Sequence, residues 1–245
     1  MTLLIAAWIW SMPQAPTPMP FPRPDLREQI SCAPLGLPAP PLAGLRVLGG
    51  YVHGRLMFGP GDGVIVNAGT IQGVQRGQMY FVRRPITDPL VVPPKVGALY
   101  GVHTAGWVTI VDVKDAMAIA TVTHACEGLQ IGDYLEPYVE PVLPEPALGG
   151  KPDFEHPGRI LMADSLRQMG YPGLVMLMNR GTEDGIRAGQ TLTIYRETLN
   201  GQGPIIDLGR GTVLTVNPRS ALMRIDSSHE AVYVGDLLAI HRITQ

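Results

Sequence analysis

The sequence predicts an all-β protein: two tandem small antiparallel β-barrels from an internal duplication, preceded by a proline-rich extended arm. Three observations carry this expectation. First, a twelve-residue stretch occurs twice, as Asn67-Ala68-Gly69-Thr70-Ile71-Gln72-Gly73-Val74-Gln75-Arg76-Gly77-Gln78 and as Asn179-Arg180-Gly181-Thr182-Glu183-Asp184-Gly185-Ile186-Arg187-Ala188-Gly189-Gln190. A unit recurring at this length is one small folding module used twice. Second, only 16% of the residues are charged while Gly (29) and Pro (24) abound, which favours short strands and tight turns over helices. Third, both copies open onto the same succession of a strand, a hairpin and a closing Gly-Asp turn, Gly132-Asp133 or Gly235-Asp236.

Residues 1–44 stand outside this repeat. The run Leu3-Leu4-Ile5-Ala6-Ala7-Trp8-Ile9-Trp10 is shorter than the roughly 20 apolar residues that span a bilayer. It resembles the apolar part of an export signal but lacks a basic leader, so it is either a cleaved signal or an uncleaved apolar anchor. Prolines crowd residues 13–41, fixing φ and removing backbone donors, so an extended arm is expected there, with no helix and no sheet interior. Leu3, Leu4, Trp8, Trp10 and Phe21 have no core of their own to enter, which marks the arm as a partner-binding tether.

Module one is expected over 45–136. Arg46-Val47-Leu48, Arg55-Leu56-Met57-Phe58 and Val64-Ile65-Val66 read as strands before the first signature, Met79-Tyr80-Phe81-Val82-Arg83 as the strand leaving it, and 106–122 as a hairpin with Lys114-Asp115 at its tip. A Pro/Gly-rich linker follows over 137–157. Module two, 158–245, repeats the plan: Arg159-Ile160-Leu161, an apolar strand at 174–178, the second signature, Thr191-Leu192-Thr193-Ile194-Tyr195-Arg196, and a hairpin through 212–225.

The signature reads as a structural loop. Gly69, Gly73 and Gly77, like Gly181, Gly185 and Gly189, are expected to take positive φ, while Val74 and Ile186 turn inward to plug the barrel ends. Asn67 and Asn179 bond loop backbone through their amides, and Thr70 and Thr182 through their hydroxyls. A phosphate cradle does not fit, because that motif needs Gly-Lys-Ser or Gly-Lys-Thr entering a helix, and this loop enters a strand.

No catalytic, metal or cofactor residues emerge. The histidines His53, His103, His124, His156, His229 and His241 form no two-ligand spacing. His124 and His229 fall near each other in the aligned copies and read as surface or turn residues. Asp133 and Asp236 read as caps of their own turns rather than a catalytic pair. No Gly-x-Ser-x-Gly elbow and no Cys-x-x-Cys is present. Cys32 and Cys126 permit one disulfide if the chain is exported; spacing does not decide whether they meet. A formal net charge of −2 provides no basic field for nucleic acid.

The pattern Asn-x-Gly-Thr-x-x-Gly-Val/Ile-x-x-Gly-Gln, a strand ending in Tyr195-Arg196, a hairpin, and Val234-Gly235-Asp236 resembles the small β-barrel module at the C-terminus of flagellar assembly protein T. It is also similar to the modules that follow LysM-type domains in other envelope proteins. The resemblance covers 159–241 well and 46–135 less fully, where Arg83-Arg84 replaces Tyr-Arg. It implies an exported, periplasmic or envelope-associated protein without enzymatic activity, an accessory subunit of a larger protein assembly. A glycan- or peptidoglycan-binding module is the alternative, with Trp107, Tyr134 and Tyr233 as sugar platforms.

Overall fold

The computed structural model describes residues 25–41, 44–86, 95–96, 99–146, 149–163, 167–199 and 203–242. Leu3, Leu4, Trp8, Trp10 and Phe21 lie outside them. The described residues begin with a helix α1 (Leu26–Cys32) and a short strand β1 (Leu35–Leu37), then β2 (Leu45–Gly50), β3 (Met57–Phe58), β4 (Gly63–Val66), β5 (Met79–Pro85) and β6 (Lys95–Val96). The long β7 (Leu99–Val113), β8 (Ala118–Ala125), β9 (Leu129–Gln130) and β10 (Tyr134–Pro137) complete the first module. The second comprises β11 (Lys151–Ala163), β12 (Met169–Gly170), β13 (Val175–Met178), β14 (Thr191–Glu197), β15 (Ile205–Val216), β16 (Ala221–Ser228), β17 (Val232–Tyr233) and β18 (Leu237–Arg242).

Module two is a closed antiparallel barrel in the order β11-β13-β16-β15-β14-β18. Module one is an eight-stranded, barrel-like sheet in the order β1-β7-β5-β10-β2-β4-β8, with β6 also on β7 and an additional β7–β8 pairing. The difference lies in β7. Its C-terminal part, from Gly106 to Val113, pairs with β8, whereas its N-terminal part pairs with β1 and β6. Each module has its own apolar interior. Val47, Val64, Val108, Ile110 and Val122 fill the first, and Ile160, Met176, Ile194, Met223 and Ile240 the second. Val74 and Ile186 enter these two clusters, as the plug reading requires.

The signature loops are superimposable in their bonding. Each makes one 3₁₀ turn, Thr70–Gln72 or Thr182–Asp184, stopped by Gly73 (φ 78°) or Gly185 (φ 75°) in the left-handed region. Three expectations need correction. Gly69 and Gly181 are extended, with φ of −140° and −142°; they are glycines because a Cβ would lie 2.0 Å from Lys114 O or 2.2 Å from Asn217 O, in the hairpin crossing the loop. The Asn amides reach beyond the loop: Asn67 Oδ1 accepts from the Arg46 backbone N–H at 2.6 Å and Asn179 Oδ1 from that of Arg159 at 2.7 Å. Thr70 and Thr182 have exposed side chains and bond through their backbone N–H, to Lys114 O and Asn217 O.

The arm and the linker are also corrected. The expectation of a helix-free, sheet-free arm through residue 41 fails because no proline falls between Pro24 and Pro34, leaving room for the two turns of α1. Leu26 and Ile30, four apart, share one face of it and enter a third apolar cluster. That cluster adds Ala33, Ile86 and Leu99 from module one and Leu161, Met162, Val175, Leu177, Leu214 and Leu222 from the outer face of module two. The linker is shorter than 137–157: Pro137 still pairs with Tyr80, and Lys151, Pro152 and Asp153 already pair with β18. A register shift between Asp153 and Gly158 absorbs the interruption before the strand resumes.

Candidate functional site

The third cluster holds the two modules against each other and leaves a cleft of about 420 Å³ at its margin. One wall comes from α1 and the ends of β7 and β8, the other from 167–175 of module two. On α1 the face next to the buried one carries Glu28 and Cys32, four residues apart and both lining the cleft. Cys32 is bonded to Cys126, just past β8, with Cα atoms 5.5 Å apart.

Beside the bridge, His124 pairs across the strands with Trp107. The rings stack with centroids 4.2 Å apart and planes 13° apart. His124 Nε2 lies 3.5 Å from Glu28 Oε1. The sheet bulges here, and Gly106 permits it: a Cβ at that position would lie 2.2 Å from His124 O. Deeper in, Thr104 Oγ1 accepts from Arg83 at 2.9 Å and donates to Ala33 O at 3.1 Å, tying the arm to the sheet. Burial lowers the Arg83 guanidinium below its ordinary pKa, opposed by the Glu136 carboxylate beside it. Across the cleft Arg167 donates to the Tyr171 hydroxyl at 3.2 Å. The lining thus mixes carboxylates (Glu28, Glu127), imidazoles (His103, His124), a guanidinium and a disulfide.

The sequence-derived candidates are distributed differently. The ten signature residues sit in the two loops, in barrel-end positions. Tyr134 is 3% exposed, so it is not a sugar platform; it lies beside Glu136 and Arg83, while its neighbour Leu135 enters the module one core. Trp107 is taken up by the His124 stack and contacts with Phe81 and Tyr138. Tyr233 is exposed, with the Arg196 guanidinium 5.1 Å from its ring centroid. His124 and His229 are not equivalent: Ala125 faces Gly106 as Ser228 faces Gly209, so His229 occupies the position that corresponds to Cys126.

Asp133 and Asp236 do cap their turns, accepting from the Gln130 N–H at 2.8 Å and the Tyr233 N–H at 2.6 Å. Each also forms a bidentate pair that sequence reasoning missed. Arg84 meets Asp133 at 2.7 and 2.8 Å, and Arg196 meets Asp236 at 2.7 and 2.8 Å. The bonded carboxylate raises each guanidinium's pKa above its ordinary value. The signal was the recurrence of both an Arg and an Asp at matching places in the two modules.

Fold and cleft together define a mostly β protein in which a closed barrel and a barrel-like sheet are joined by a shared apolar layer beside a disulfide-lined cleft. No helix among the described residues is long and apolar enough to cross a membrane. Neither a family model nor a curated protein matches the chain.

Proposed function

We propose that this chain is a non-enzymatic structural or accessory subunit of a bacterial cell-envelope assembly, in which the modules act as one rigid adaptor and the N-terminal residues as its tether. The observation that carries this reading is the shared third core. A layer of buried Leu, Ile, Val and Met joins two modules that each have a complete core, and it turns them into one block suited to holding partners at a fixed spacing. The Cys32–Cys126 bridge supports an oxidising, periplasmic setting. We further infer that the modules are two copies of one barrel, on the matching loop geometry and the paired Arg–Asp turns. With α1 and β1 docked, the tether narrows to residues 1–24.

The test is gentle purification of the native protein from its source membranes. Co-purification in a complex, and release of the folded protein when residues 2–24 are removed from an exported form, are the expected results. Migration as a free monomer, or undiminished binding by the truncated protein, counts against the reading. The glycan alternative receives no comparable support, since the buried Tyr134 removes one of its three platforms; a cell-wall pulldown that retains the protein would revive it.

A further inference from the structure

We propose that Cys32, His124 and Cys126 form a redox-gated site for a zinc-like divalent cation, closed while the two sulfurs are bonded and competent once that bond is reduced. One ligand atom from each of the three residues lies within 4.8 Å of the others. Yet Cys32 ends α1, and Cys126 follows 94 residues later; only the docking of α1 on module one brings them together.

Two thiolates and an imidazole are a donor set that zinc takes, with Zn–S of about 2.3 Å and Zn–N of about 2.0–2.1 Å. Tetrahedral placement at those lengths asks the sulfurs to part to roughly 3.7 Å, a displacement that side-chain rotation supplies. His124 is already oriented. Its ring is stacked on Trp107 and lies beside the Glu28 carboxylate, and a carboxylate next to a ligating imidazole fixes the ring and strengthens it as a donor. All three residues are half-buried and line the cleft, so the fourth coordination position opens to water.

A dithiol donates two electrons and two protons across the Cys32–Cys126 bond and becomes a disulfide itself. The cation then displaces the two thiol protons to solvent, and neutral His124 contributes a lone pair. Either staple, disulfide or metal, ties α1 to the end of β8. Only the reduced, metal-free state lets α1 go, and with it one edge of the third core. This inference does not depend on the envelope reading.

The experiment uses the intact chain. It is reduced with a phosphine, freed of excess reductant without oxygen, and titrated with Co²⁺ as an optical probe, followed by Zn²⁺; the untreated disulfide form is the control. The expected result is one Co²⁺ per chain, with thiolate-to-cobalt charge transfer, in the reduced form alone, and displacement by Zn²⁺. His124→Ala retains both sulfurs and should bind at least about tenfold more weakly, and Cys126→Ser should lose most of the charge-transfer intensity. The proposal is overturned if the reduced form binds no more metal than the disulfide form, or if His124→Ala binds as tightly as the parent. It is equally overturned if reduction unfolds the chain by circular dichroism and added Zn²⁺ does not restore the fold.

Discussion

Gly181 and Gly185 stand four residues apart in one loop and are glycines for different reasons. A Cβ at Gly181 would lie 2.2 Å from Asn217 O and 2.4 Å from Pro218 O, so Gly181→Ala must push the hairpin off the barrel end. A Cβ at Gly185 would meet only the flexible Arg242 Nη1, at 3.4 Å, but φ there is 75°, so Gly185→Ala costs about 1 kcal/mol from backbone strain alone. Urea melts should therefore rank Gly181→Ala as the more damaging, by roughly 1–3 kcal/mol; equal midpoints would show that the hairpin moves freely. Asp236 has a 5% exposed side chain and holds both Arg196 and the Tyr233 N–H. Asp236→Ala strands both, at an expected cost of about 3 kcal/mol, and a double-mutant cycle with Arg196→Ala should recover at least about 1 kcal/mol of coupling.

Asp184 gives the loop a dependence on pH. Burial raises its pKa, but the Gly181 N–H and Arg180 outweigh burial and hold it below the ordinary value of 3.8. A carboxylate depressed in the folded state contributes stability that is complete above the ordinary value and is lost as pH falls through the lower folded one. Asp184→Asn keeps the shape without the charge. The melting difference between parent and variant should shrink between about pH 5 and about pH 2; a constant difference across that range would remove Asp184 from the acid sensitivity.

Among the elements, α1 has little stability of its own. Seven residues make a helix that is marginal in isolation. It persists because Leu26 and Ile30 enter the third core and the bridge closes a separation of 94 residues. Replacing Cys32 by Ser should lower unfolding stability by roughly 3–5 kcal/mol, as expected for a loop of that length, and should open 25–33 to hydrogen exchange before the rest of the two modules. Protection of α1 equal to that of β16 in the variant would mean that apolar docking alone holds it. The β11, β13, β15 and β16 strands have a different character. Alternate residues point into the module two core and out into the third core, so runs such as Leu174-Val175-Met176-Leu177-Met178 carry no polar face.

For the whole molecule, the question is what keeps the modules together. The bridge lies wholly on the N-terminal side of 138–150, so cutting that linker leaves two fragments joined only by noncovalent packing. Gly36 and Gly101 allow this packing to be close: a Cβ at Gly36 would lie 3.2 Å from Leu177 Cδ2, and one at Gly101 2.8 Å from Met162 Cε. Proteolysis of the parent within the linker should therefore yield fragments that co-elute. Leu177→Ala, which empties a fully buried position in the shared layer, should cost about 2–4 kcal/mol and let the fragments separate. Co-elution unchanged by that substitution would place the adhesion elsewhere.

Much of the local plan was legible in the residues. The glycine-spaced loops, the succession of strands within each module, the hairpin tip at Lys114-Asp115 and the turn caps Asp133 and Asp236 follow from short-range rules of φ, alternation and side-chain capping. The helical segment of the arm and the early start of β11 were equally local in cause, but proline counts masked them, whereas Arg84 and Arg196 meet Asp133 and Asp236 across 49 and 40 residues of chain. What only the tertiary structure decided is everything that depends on one face meeting another: the shared third core, the Cys32–Cys126 bridge, and the cleft where His124 lies beside both sulfurs. No spacing along the chain encodes these, because they arise from the docking of α1 and β1 on β7 and of module two on both. An apolar run reveals that a strand is covered on two sides, whereas the identity of the covering surface is set only when the chain has folded.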